Sequence, residues 1–481
     1  MAYKLLSRGL GIISTLILAR LLMPSDFGLV AIATSFIALI ELIRLFGFES
    51  ALIQLRQVTK AHFDTAWTFS ASLGLAIAAL VVVLAPWLAD FYDDQRLKPV
   101  LWALALAAAF NGLESNGPVM FRKELQWKQD FLFQVTRKMA AVLIMIPLAF
   151  WMRNYWALVW GTVAGRFASL IVSYLITPHR PRFTLAAKAD LWNFSKWIFL
   201  NNILAFLRQR MPNLMLGKIA SATDVGFFAI SRDISRLPTT ELSAPINRAA
   251  FPGYAKISND LPRLREGFLK LLGGAGIVVV PAGIGIAVTA ELLIRVFLGD
   301  RWLPATATMA VLGLYGAIGG LQSNGMAVYL AIGKPRLQFV MQLIFIGILL
   351  PAVYVLTTRL GHTGTALGYL VAGAIAVPIN LANLCQVLGM PAFRFMGPLW
   401  RTFVAASLMA LAVLAIRRAQ GDPGTIVEAG LQLALVVVVG ALAYAGSLFA
   451  LWRVVGRPDG AERWLLELLR RRLGRRALPA P

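Results

Sequence analysis

The chain is poor in the residues that carry most enzyme chemistry. Of its 481 residues one is a cysteine, Cys385, so an intramolecular disulfide framework and a cysteine-based metal cluster are both excluded. The three histidines, His62, His179 and His362, lie far apart in loop-like stretches beside Lys60, Arg180 and Gly361. None has a metal-ligating or nucleophilic neighbour in sequence. All three read as solvated loop residues, which argues against a metalloenzyme or a catalytic triad. Acidic residues number 23, and the one adjacent pair, Asp93-Asp94, is explained by a solvated loop. No glycine-rich loop of the phosphate-cradling kind is present, so an intrinsic ATPase is not expected.

Charge as a whole is scarce: 14% of the chain is charged, against about 25% in an average soluble domain. With 58% hydrophobic residues and a mean hydropathy of +0.71, the composition excludes a soluble globular protein. What charge remains is lopsided, 46 Lys and Arg against 23 Asp and Glu, a formal net of +23. In a soluble protein that excess would suggest nucleic acid. In a membrane protein it reports orientation first.

A membrane span needs about 20 mostly apolar residues. Runs of that kind predict about fourteen spans, at 4–22, 27–49, 65–88, 99–120, 131–152, 155–177, 194–217, 224–246, 268–290, 304–331, 336–357, 363–388, 399–416 and 426–451. The first begins almost at Met1, so no cleavable signal peptide is expected before it. With the N-terminus inside, the cytoplasmic loops and tail collect about 28 Lys and Arg and the opposite loops about 10, so both termini are expected in the cytoplasm. The fold class expected is an all-α polytopic membrane protein. The tail from Trp452 stands apart. Its segment 461–473 sets Trp464, Leu465, Leu468 and Leu469 on one helical side, the pattern of an interfacial helix whose Arg470, Arg471 and Arg472 meet anionic lipid. A disordered basic tail explains the same residues.

An internal repeat organises the rest. Arg20-Leu-Leu-Met-Pro-Ser-Asp26-Phe-Gly28-Leu-Val-Ala31-Ile32 recurs 198 residues later as Lys218-Ile-Ala-Ser-Ala-Thr-Asp224-Val-Gly226-Phe-Phe-Ala229-Ile230. Six spans separate the copies, so they share one orientation, as in transporters built from parallel repeats. The expected domains are a six-helix lobe at 1–192, a second at 193–390, two further spans at 391–452 and the tail at 453–481. Asp26 and Asp224 are expected to cap helix N-termini, and Gly28 and Gly226 to allow close helix approach.

At these residues the sequence resembles the polysaccharide transporter branch of the multidrug/oligosaccharidyl-lipid/polysaccharide exporter superfamily. The resemblance rests on Leu18-Ala-Arg20-Leu-Leu-x-Pro24-x-Asp26-Phe-Gly28, Leu216-Gly-Lys218, Phe251-Pro252-x-Tyr254-Ala-Lys256, Gly299-Asp-Arg-Trp302 and Ile332-Gly-Lys334-Pro-Arg336. It covers roughly the first 400 residues. It implies two bundles around a cavity and the flipping of undecaprenyl-pyrophosphate-linked oligosaccharide repeats across a bacterial inner membrane, for O-antigen, capsule or exopolysaccharide. It further implies membrane lipids and a polysaccharide polymerase or export machinery as partners, and no cofactor. Asn213 departs from the pattern, standing where many relatives carry an acid.

Intramembrane charge then selects candidate residues, because an ionised side chain near the bilayer centre costs about 2.5–3.5 kcal/mol even on insertion scales. At 100° per residue, Thr162, Arg166, Ser169 and Ser173 fall within about 60° of one another, a narrow polar stripe. Asn111, Glu114, Ser115 and Pro118 form a similar stripe. In span seven Asn201, Asn202, Arg208 and Gln209 share a broad arc from which Arg210 points away, and Arg232 and Arg236 stand one turn apart in span eight. Arg8, Arg44, Arg137 and Lys138 complete the basic set, with snorkelling as the alternative for Arg8, Arg137 and Lys138, and an i,i+3 pair with Glu41 for Arg44. A cationic slot suits a pyrophosphate headgroup and suits a cationic drug poorly. Glu41, Glu114 and Asp233 are the acids available for H+ or Na+ coupling. The competing classes are a multidrug antiporter of the same superfamily, a membrane glycosyltransferase or polymerase, and a structural scaffold. The transferase is disfavoured because the longest outside loops hold only about a dozen residues.

Overall fold

The computed structural model describes residues 2–44, 52, 58–124, 126–177, 179–237, 253–254, 256–258, 260–456 and 462, with the backbone alone for 2–8, 188–198, 323, 324 and 326. Every regular element among them is helical. The Arg8 side chain and the expected interfacial helix at 463–473 lie outside the described residues, as does the expected span eight beyond Leu237.

The chain divides into two compact units, Met1–Ala229 and Ile230–Pro481. The first contains α1 (Ala2–Leu21), α2 (Pro24–Glu41) with a 3-10 turn at Leu42–Arg44, α3 (Lys60–Phe91) and α4 (Leu97–Leu113). There follow α5 (Val119–Lys123), α6 (Trp127–Met152), α7 (Trp156–Leu175), α8 (Lys188–Gln209), α9 (Met211–Ile219) and α10 (Ala222–Ser235), the last running across the division. The second unit continues with α11 (Leu261–Leu293), α12 (Thr306–Gly319), α13 (Gly325–Ala331), α14 (Pro335–Val387), α15 (Met396–Gln420) and α16 (Ile426–Val454).

These elements fall on the expected spans in order, and nine described stretches are each long and apolar enough to cross a membrane. One of the nine, α14, holds 53 residues and would run about 80 Å if straight, far beyond a bilayer. It folds back at Gly361, whose φ of 54° and ψ of −134° belong to glycine alone, so it supplies spans eleven and twelve. The helices α6 and α16 bury only 6% and 17% of their apolar windows within the protein. Their outward leucines, valines and tryptophans are surface suited to lipid.

Three expected spans are interrupted. Span four stops at Leu113, where Glu114 turns extended (ψ 136°), and resumes as α5 after Pro118. Span ten is broken between α12 and α13 by a 3-10 turn over Gly320–Asn324. These are the fourth spans of the two expected six-helix sets, and paired interruptions in corresponding spans are a recurrent mark of transporter binding regions. Span seven breaks at Arg210, just before Pro212.

Within the first unit the copies of the repeat meet. The Cα of Gly28 lies against Ala222, so that a Cβ there would stand 1.5 Å from the Ala222 carbonyl oxygen, and a Cβ on Gly226 would stand 1.9 Å from that of Pro24. The contact is reciprocal under the 198-residue shift, as a local two-fold requires. Each helix start is fastened locally. The Asp26 carboxylate accepts from the Met23 N–H at 2.8 Å, and Ser221 Oγ accepts from the Asp224 N–H at 3.1 Å. Asp26 thus sits inside the first turn, which Pro24 opens, and reaches back; the residue outside the turn in the second copy is Ser221, bonded to the Asp224 carboxylate. In the second unit the core gathers Phe268, Leu272, Val280, Tyr329, Leu384 and Cys385.

Candidate functional site

The polar stripe of α7 and the broken end of α4 build one network in the first unit. A helix that ends inside the membrane leaves carbonyls unbonded, and these need donors from side chains. Here the Leu113 carbonyl accepts from Trp67 Nε1 at 3.2 Å and Tyr174 OH at 2.9 Å, and the Asn111 carbonyl accepts from Arg44 Nη1 at 3.1 Å. A guanidinium at a helix C-terminus also answers the negative end of its dipole.

Asn111 is the hub. Its side-chain oxygen accepts from Arg166 Nη1 at 3.0 Å while its amide nitrogen donates to Glu41 Oε1 at 3.3 Å. The amide orientation is fixed by these partners, since the flipped form would face the guanidinium with a second donor. Arg44 Nη2 lies 4.0 Å from the same Glu41 oxygen, with both side chains partly exposed. One helical turn beyond Arg166, Ser169 Oγ donates to Glu114 Oε2 at 2.9 Å, and a further turn on Ser173 Oγ accepts from the Ser115 N–H at 3.0 Å. Arg137, Arg44, Glu41 and Glu114 are the charges within electrostatic reach of Arg166. Arg166 sits ten residues into the 20-residue α7, about 15 Å along it and hence near mid-membrane.

The structure therefore brings Arg44, Arg137, Arg166, Glu41 and Glu114 together. Arg44 does form the i,i+3 contact with Glu41 and also engages α4. The Lys138 ammonium lies against Gly11 of α1, where an added Cβ would be 2.7 Å from Nζ. The span-four stripe is not helical beyond Leu113; Glu114 and Ser115 reach α7 because the chain turns there.

The other candidates are placed separately. On α8, Asn201 is exposed and Asn202, Arg208 and Gln209 are half-buried, while Arg210 at the break is exposed. The helical arc drawn through span seven holds only as far as Gln209. Arg232 is buried on α10, Asp233 beside it is exposed, and Arg236 falls in the turn after the helix. Asn213 is 1% exposed and donates through Nδ2 to Ser35 Oγ at 3.1 Å, a clamp between α9 and α2. The basic residue of the second repeat copy, Lys218, bonds the Phe91 carbonyl at 2.6 Å and covers the Phe91 ring at 4.7 Å. Beside it Tyr92, just past α3, donates to the Leu214 carbonyl at 3.1 Å, and burial pushes its hydroxyl up to about 12.

Two histidines depart from the solvated reading. His179 Nε2 lies 3.0 Å from the buried Asp64 carboxylate, which also accepts from the Arg182 N–H at 3.2 Å; Thr65 and Thr68 take the N–H groups of Ala187 and Thr184. The segment after α7 is thus moulded onto α3 by side chains far apart in sequence. His362 Nδ1 lies 2.6 Å from Thr308 Oγ1. Sequence reasoning also missed the hub role of Asn111. The signal for it was the run Asn111-Gly-Leu-Glu-Ser-Asn-Gly-Pro118, which cannot continue a helix.

Comparison with known proteins bears on this geometry. A family described as "Polysaccharide biosynthesis protein" matches residues 17–307. The lipopolysaccharide biosynthesis protein WzxC of Escherichia coli K12 is 24% identical over 407 residues, covering 82% of this chain and 81% of its own. The succinoglycan biosynthesis transport protein ExoT of Rhizobium meliloti is 23% identical over 312 residues, covering 64% and 62%. Among solved structures, the lipid II flippase MurJ in an inward closed conformation superposes with a TM-score of 0.76 at 16% identity, covering 94% of this chain and 98% of that one. That last likeness is one of fold.

Proposed function

We infer, from the chain's belonging to the polysaccharide biosynthesis protein family, that it is a flippase, not an enzyme, and that it carries lipid-linked oligosaccharide repeat units across the bacterial inner membrane for polysaccharide assembly. WzxC and ExoT, matched along most of the chain, support the assignment by their names, and the MurJ-like fold agrees with it. The observation that carries the reading is the Arg166 cluster, a group of three arginines around a broken helix with Arg166 at the middle of α7. Guanidiniums remain charged at any cellular pH and pair bidentately with phosphate, so such a group suits a pyrophosphate headgroup with the sugars beside it. Arg8, Arg208, Arg232 and Arg236, with Asn201, Asn202 and Gln209, are further proposed contacts. Transport proceeds by alternating access of lobes 1–192 and 193–390, with H+ or Na+ taken up at Glu41, Glu114 or Asp233. The polymerase or export machinery of the same polymer receives the product.

Deleting the gene is expected to trap undecaprenyl-linked repeat units on the cytoplasmic side, read by mass spectrometry of the lipid pool. An unchanged pool together with lost drug efflux would move the protein to the antiporter class. Arg166→Ala, expressed at the wild-type level, is expected to restore less than about a tenth of polymer, since a lost charged hydrogen bond is worth 1.5–3 kcal/mol. Full complementation removes Arg166 from the pathway. Both termini are proposed to be cytoplasmic. A cysteine placed at Asp93 should then react with an impermeant maleimide from outside intact spheroplasts, and one at Lys334 should not.

A further inference from the structure

Resting on the reading of the Arg166 cluster as a diphosphate site, we propose that Glu41 is a built-in competitor of the cargo: its carboxylate holds the place of a phosphate while the carrier is empty. An empty site within the membrane-spanning bundle cannot leave guanidiniums bare, because unpaired charge away from water is strongly unfavourable. Asn111 and Glu41 solve this together. Asn111 receives Arg44 on its backbone oxygen and Arg166 on its side-chain oxygen, so one residue aims two guanidiniums from two helices. Glu41 then closes the group, reaching Asn111 Nδ2 at 3.3 Å and Arg44 at 4.0 Å.

Those distances are long for charge-assisted contacts, which settle near 2.7–2.9 Å. The permanent pair of Arg401 with Glu462 in the second unit shows the difference, at 2.7 and 2.8 Å. Glu41 is also partly exposed, its side chain at 26% against 8% for Glu462, so packing does not lock it in place. A loosely engaged carboxylate is a counter-ion that a better anion displaces. The local charge count agrees. Around Arg166 the charges within reach are Arg44 and Arg137 against Glu41 and Glu114. With Glu41 withdrawn, the three guanidiniums against Glu114 leave the two positive charges that a doubly ionised diphosphate diester requires. Glu41 thereby sets how tightly the headgroup is held, and its return to Arg44 assists release.

The test uses the full-length protein in nanodiscs, with inorganic pyrophosphate as the probe in calorimetric titrations. Glu41→Gln keeps an oxygen for Asn111 Nδ2 and removes the competing charge. It is expected to bind pyrophosphate about tenfold more tightly than wild type and to lower transport turnover through slow release. Glu41→Asp, which keeps the charge and retreats by one methylene, is expected to fall between the two and serves if the glutamine variant fails to fold. Glu291→Gln, a carboxylate of the second unit bonded to Arg417, should leave the affinity unchanged. A merely structural Glu41 would weaken binding when altered. Wild-type binding with equal or weaker binding by both variants overturns the proposal and leaves the flippase reading standing. Absence of pyrophosphate binding by every form overturns the diphosphate site, and the proposal with it.

Discussion

Gly28→Ala is expected to be among the most damaging single substitutions in the chain, with Gly226→Ala close behind. The added Cβ would stand 1.5 Å from the Ala222 carbonyl oxygen in the first case and 1.9 Å from that of Pro24 in the second. Both obstacles are backbone, so no side-chain rotation relieves them, and α2 and α10 must part by more than an ångström. A displacement of that size unpacks neighbouring contacts, and the expected loss exceeds about 4 kcal/mol, the range reserved for overpacking and broken networks. Membrane-protein yield and the unfolding midpoint in detergent would both fall. The reciprocity of the crossing gives a sharper test. Once one alanine has separated the helices the second meets less resistance, so the double variant should lose clearly less than the sum of the singles. Gly347→Ala and Gly430→Ala, interior to helices and with nothing within 4 Å of an added Cβ, should not lower stability, since helix propensity favours alanine by up to about 1 kcal/mol. Additive behaviour at 28 and 226, or tolerance of both alanines, would show that the copies of the repeat do not touch as described.

This crossing marks how far the sequence could be read. The shared Asp-x-Gly-x-x-Ala-Ile core identified the repeat and the small residues that permit close approach, because those properties are local. It could not show that the copies meet each other, which depends on where helices 198 residues apart are carried by all the packing between them. The Arg166 cluster divides the same way. Helical periodicity placed Thr162, Arg166, Ser169 and Ser173 on one face of α7, a face the structure turns toward Asn111, Glu114 and Ser115. The stripe assumed for span four failed after Leu113, because an apolar count over 99–120 passes through Glu114-Ser-Asn-Gly-Pro118 without registering that no helix persists there. For Arg137 the sequence leaves snorkelling as an alternative to the basic set, and only tertiary structure sets it within reach of Arg166. His179 is illegible for a similar reason. Its partner Asp64 is 115 residues away, and a loop histidine with no local ligand looks solvated whatever packs on it later.

Glu462 is the least legible of the consequential residues, one of three acids in a tail dominated by arginine, and its removal is expected to cost about 3–5 kcal/mol. Arg401 lies six residues into α15, about 8 Å from the helix start, and both partners of the pair are 8% exposed. Arg401 donates from Nε at 2.8 Å and lies 2.7 Å away through Nη2, both to Glu462 Oε1, with the Trp400 ring 5.8 Å from the guanidinium carbon. Forming such a pair contributes little net stability, because desolvating two ions offsets most of their attraction. Breaking it is another matter, since the surviving guanidinium stays buried with no countercharge. Glu462→Ala should therefore lower the unfolding midpoint strongly, and ending the chain after Gly456 should do the same by removing the same carboxylate. The decisive variant is the double one, Arg401→Leu with Glu462→Leu. If the loss arises from the stranded charge, two apolar side chains of similar reach restore stability to the wild-type level or above it. If the double variant is as unstable as Glu462→Ala, the carboxylate contributes by anchoring the end of the chain against α15 through its hydrogen bonds, and charge burial is not the cause.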